Sequence, residues 1–65
     1  MNKKELIESI KLTVDNRNEY KRALGQEITW FIDADLEKNS IEELKEILIS
    51  ARKQENYFRK VWDNR

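Results

Sequence analysis

The chain has 65 residues, 13 Lys plus Arg against 13 Asp plus Glu, one Gly, and no Cys, His or Pro. That length admits one small domain of marginal stability, and the missing residue types exclude a disulfide, a zinc site of the usual kind, a Cys nucleophile and a His base. A net charge of zero gives no global basic excess for a nucleic acid, and no apolar run approaches the ~20 residues that span a bilayer or forms a signal-peptide core.

The composition, 40% charged and 38% hydrophobic, together with periodic apolar stripes, predicts an all-α fold in a single domain over 1–65, with helices at about 3–15, 17–37 and 41–63. The first helix opens on Asn2-Lys3-Lys4-Glu5, a capping-box pattern in which the first side chain bonds the N3 backbone and the Glu reaches back. Its stripe is Leu6, Ile7, Ile10 and Val14, and Arg17 stands at the next position in register.

Asn16-Arg17-Asn18-Glu19 repeats the capping pattern and predicts a second start. Tyr20, Leu24, Ile28, Phe31 and Ile32 then share one face of the middle helix. Gly25 costs about 1 kcal/mol inside a helix relative to Ala, so a kink or a close helix contact is expected there. Ile28 to Ile32 is the one strand-like run, too short and isolated to build a sheet.

Lys38-Asn39 supplies a helix end, with Asn39 in the left-handed conformation, and Ser40-Ile41-Glu42-Glu43 is the strongest capping box in the chain. In the third helix Ile41, Leu44, Leu48, Ala51, Phe58 and Trp62 recur at three- and four-residue steps, widened by Ile47 and broken by Glu55.

Two architectures satisfy these stripes. The preferred one is a small three-helix up-down-up bundle. The alternative continues the helix through Asn16 to Asn18, giving a long two-helix hairpin. Its uncovered Leu6, Ile7, Ile10 and Val14 would be buried by dimerisation into a four-helix bundle. Residues 33 to 50 carry six acids and two bases, a net of −4. The three-helix arrangement brings Lys3 and Lys4 beside that acidic stretch. In either architecture Arg17 and Glu55 come to similar levels, and a buried ion pair between them is expected, fixing register rather than adding much stability.

Signatures of catalysis are missing from the sequence: no Gly-rich phosphate loop, no base beside Ser9, Ser40 or Ser50, and an Asp33, Asp35, Glu37 cluster spaced badly for one metal. The expectation is a non-enzymatic, cytoplasmic protein without cofactor or metal. It would act as a small regulator or inhibitor by stoichiometric binding to a partner protein, with homo-oligomerisation among the expected modes. Trp30 lies off the stripe of the middle helix, flanked by Ala23 and Ala34. Ile49, Tyr57 and Val61 lie off the stripe of the third. These six are the expected partner-binding residues, since Trp and Tyr dominate interface hot spots. The second reading is RNA or DNA binding through Arg52, Lys53, Arg59 and Lys60, because residues 51 to 65 hold five bases against two acids and interleave aromatics.

Overall fold

The computed structural model describes residues 2–65. It is all-α, with three helices: α1 over Lys3–Ala23, α2 over Asp33–Glu37 and α3 over Ile41–Asp63. No strand is present among the described residues.

α1 starts where the sequence says it should. The Asn2 side chain accepts from the Glu5 backbone N–H at 2.8 Å and donates to the Glu5 carboxylate at 3.1 Å. It then runs straight through Asn16, Arg17 and Asn18, so the predicted break between 15 and 17 is absent. The capping pattern at 16–19 goes unused because Arg17 and Asn18 point into the protein, where their side chains bond Thr29.

The middle leg departs most from expectation. A helix over 17–37 is not formed: α1 ends at Ala23, residues 24–32 are non-helical, and only Asp33–Glu37 coils again. Gly25 causes the stop. It adopts φ +75, its N–H donates to the Arg22 carbonyl at 3.0 Å, and the Gln26 N–H reaches back to Lys21 at 2.8 Å. This pair of bonds is a Schellman cap, which satisfies the last carbonyls of the helix and needs a residue comfortable at positive φ. Gly25 is therefore a terminator, not a kink. A Cβ built on it would meet nothing within 4 Å, so Gly25→Ala is expected to cost about 1 kcal/mol from backbone strain alone. Chemical denaturation would read this as a lower midpoint with an unchanged slope; a stabilised variant would contradict the cap.

Side-chain contacts fix the directions of the legs. Arg17 meets Gln54 and Lys21 sits over Phe58, both pairs 37 positions apart, so α1 and α3 run parallel. Lys11 bonds Asp33 at 3.0 Å and Lys3 bonds the Glu37 carbonyl, so the leg between them runs the opposite way. The chain thus goes up, down and up, with a largely non-helical middle leg. The long hairpin is not formed: Leu6, Ile10 and Val14 are covered within the chain by Leu44, Leu48 and Ala51, and Leu36 of α2 closes the same core. Ile7 and Ile47 pack at its edge.

The turn into α3 uses side chains rather than a left-handed residue. Positive φ occurs only at Gly25 among the described residues. Asn39 instead donates from its amide to the Asp35 carbonyl at 3.0 Å. Ser40 and Glu43 then close a complete capping box, with Ser40 N–H donating to the Glu43 carboxylate at 2.9 Å. The Ser40 bonds hold the Glu43 carboxyl below its ordinary pKa. The resulting body measures 38 × 18 × 14 Å.

Candidate binding faces

Arg17 holds the middle leg in place. It is 7% exposed, yet the predicted pair with Glu55 is not formed. Its guanidinium donates to Gln54 Oε1 at 2.7 Å, to the Thr29 carbonyl at 2.8 Å, to Thr29 Oγ1 at 2.9 Å and to Asn18 Oδ1 at 3.0 Å. Asn18 completes the clasp by donating its own amide to the Thr29 carbonyl at 2.8 Å. The parallel register puts Gln54 level with Arg17. Glu55 lies on the other side of the α1–α3 seam, in a cleft with Leu12, Asp15 and Tyr20. Every acceptor of Arg17 is neutral, and desolvation lowers its pKa from the usual value. Guanidinium remains charged nonetheless, because even a lowered arginine stays far above neutrality.

The clasp pins the leg at Thr29, and Leu36 anchors it in the core seven positions on. Between these anchors Trp30, Phe31 and Ile32 are 57%, 44% and 66% exposed. Trp30 and Phe31 border a small 80 Å³ hollow with Lys11, Val14 and Asp15. Within the described chain no backbone bond is donated by the N–H groups of 27–32. Phe31 and Ile32 were expected in the core of a middle helix. The non-helical backbone instead puts them at the surface beside Trp30.

The predicted strip of Trp30 with Ala23 and Ala34 is not assembled. It required one helix through all three. Ala23 is the last residue of α1 and Ala34 lies in α2 near the other end of the leg, both exposed. On α3, Ile49, Tyr57 and Val61 are all exposed. At about 100° per residue Tyr57 and Val61 are neighbours on one side of the helix, while Ile49 is about 120° from Val61.

Arg52, Lys53, Arg59 and Lys60 are exposed and lie within an arc of about 120° on α3. None of them forms an ion pair among the described residues; the pairs present are Lys11–Asp33, Lys38–Asp35 and Lys45–Glu42. Of the nearby aromatics, Tyr57 is exposed while Phe58 and Trp62 make further contacts within the chain. Phe58 is half-buried, meets Tyr57 edge-on at 5.1 Å and carries Lys21 over its ring, while Arg65 stacks over Trp62 at 4.6 Å.

A groove of 410 Å³ runs along α3 on the side the thin leg fails to cover. Ile47, Ala51 and Phe31 give it apolar walls, with Glu43 and Glu46 towards one end and Arg17 and Gln54 towards the other. Among the described residues no group of His, Cys, Asp or Glu is arranged to hold a metal ion, and no helix is long and apolar enough to cross a membrane. Comparison of the chain with protein families, curated proteins and solved structures found no match.

Proposed function

We propose that this chain is a non-catalytic protein-binding module, a small cytoplasmic regulator or inhibitor that acts by occupying a partner's surface. The observation that carries the reading is the run Trp30-Phe31-Ile32: three consecutive large apolar side chains left in solvent on a leg anchored at both ends. Contiguous exposed apolar surface is costly unless a partner covers it. The anchors matter because a leg already held in place loses little conformational entropy on binding.

Trp30→Ala tests this. Stability should change by no more than about 0.5 kcal/mol, as for an exposed position, while affinity for a captured partner should fall by about 2 kcal/mol or more, as at a hot spot. The measurement is nuclease-treated affinity capture from the source cell with the wild-type chain and with Trp30→Ala, followed by titration of the retained protein. Loss of folding in Trp30→Ala, or equal retention by both chains, would sink the reading.

The basic arc supports a second reading, nucleic-acid binding, because its four cations have no carboxylate partner among the described residues. Salt separates the two: neutralising phosphates makes affinity fall steeply with ionic strength, whereas an apolar interface is nearly indifferent to it.

A further inference from the structure

The α3 face that borders the groove is complementary to itself. Its first half presents the groove, with Ile47, Ala51 and Phe31 as walls and Glu46 at the rim. Its second half presents Tyr57, 62% exposed, with Val61 beside it and Lys53 and Lys60 on the flank. At about 100° per residue Glu46, Lys53, Tyr57 and Lys60 fall within about 60° of one another, so hollow, projection and both signs of charge lie along one line of the helix.

We propose that two copies of the chain pair through this face, with their α3 helices antiparallel about a two-fold axis near Ala51 and Arg52. A two-fold axis brings each patch against its own copy, so a face with a projection at one end and a hollow at the other can close on itself. Placed at that level, Glu46 comes opposite Tyr57 of the second copy, between its Lys53 and Lys60, each one turn away. The aromatic ring enters the groove against Ile47 and Phe31, and the carboxylate meets two cations. The symmetry makes each contact twice.

Charge complementarity selects a second copy over other occupants. On α3 itself, residues 41–50 carry Glu42, Glu43 and Glu46 against Lys45, a net −2, and residues 53–62 carry Lys53, Arg59 and Lys60 against Glu55, a net +2. An antiparallel pair sets each stretch against its opposite, whereas a parallel pair sets like against like. The pairing names one partner for the binding module proposed above and leaves Trp30 outside the contact.

Sedimentation equilibrium from micromolar to millimolar concentration, with circular dichroism to confirm folding, tests the pairing. The wild-type chain should be a dimer, and Tyr57→Asp should weaken dimerisation at least about 30-fold, as expected at a hot spot. Glu46→Lys reverses the acid that meets the partner's cations, and the double variant Lys53→Glu with Lys60→Glu reverses those cations. Each should be a folded monomer alone, and an equimolar mixture of the two should recover a dimer. Trp30→Ala should dimerise like the wild type, which keeps this test separate from that of the leg. A monomeric wild type at millimolar concentration, a dimer indifferent to Tyr57→Asp, or a mixture that stays monomeric would each overturn the proposal. A dimer abolished by Trp30→Ala would overturn it too, moving self-association to the leg.

Discussion

Leu44→Ala is expected to leave a large part of the protein unfolded at 25 °C. Leu44 has no exposed surface and sits where α3 meets Leu6, Ile10 and Leu36. Truncating a buried leucine to alanine costs about 2–5 kcal/mol, the sum of lost transfer energy and an incompletely collapsed cavity. The whole reserve of a domain this size is of order 3–10 kcal/mol. Among the described residues seven make up the buried apolar core, so few neighbours remain to relax into the gap. The outcome is read by far-UV circular dichroism in urea. Leu44→Ala should begin its transition without denaturant or near it, while Leu12→Ala, at an exposed position off the core stripe of α1, should match the wild type. A Leu44→Ala midpoint close to the wild-type value would mean that α3 does not dock on α1 through this residue.

The contrast between those two leucines marks what the sequence makes legible. Spacing separates them: Leu6, Ile10 and Val14 recur along one line of α1 and are buried, whereas Leu12 stands across the helix and is exposed. The same logic locates Leu44, Leu48 and Ala51, and the Ser40–Glu43 box marks the start of α3 because both halves of its bonding are local. The up-down-up path is legible too, since it is the arrangement that covers the first stripe within the chain. The state of the middle leg is not. Lys21-Arg22 before Gly25 is a helix-stop signal, with cations in the last turn and a left-handed cap. It competes with a face of apolar residues that continues in helical register through Ile32. Strand-like Ile28 to Ile32 then costs less outside a helix, where β-branched side chains keep their rotamers.

Asn16 to Glu19 fails for a different reason. Its capping pattern is locally as good as that of Asn2 to Glu5. What decides between start and continuation is Thr29, eleven residues beyond Asn18 in the chain, whose carbonyl accepts from Arg17 and Asn18 and so favours the helical backbone that carries both side chains inward. No local signal reports that. The exposed surface of Phe31 and Ile32 was hidden from sequence by the same cause, because their position in the core followed only from assuming a helix.

Arg17→Met should cost about 2 kcal/mol and free the middle leg. Two effects oppose each other. Methionine removes a cation whose burial is unfavourable, as the lowered pKa of Arg17 records, and this favours the variant. Against it, the donors to the Thr29 carbonyl and hydroxyl, to Gln54 and to Asn18 vanish together. Gln54 is exposed and turns to water at little cost. Asn18 cannot, being 1% exposed, and an acceptor left buried without a donor costs about 1–3 kcal/mol. Hydrogen bonds to a charged group are worth about 1.5–3 kcal/mol net, so the loss outweighs the relief. Lysine cannot substitute, because one ammonium cannot serve Gln54, Thr29 and Asn18 from a planar fork. Arg17→Lys should therefore recover less than half of the loss. Urea denaturation gives the stability of both variants, and limited proteolysis between Leu24 and Ile32 reports the leg. Cleavage there should accelerate in Arg17→Met by more than global destabilisation explains, taking an equally destabilised core variant such as Leu48→Ala as the reference. An Arg17→Met chain more stable than the wild type would show that desolvation of the buried cation outweighs the clasp.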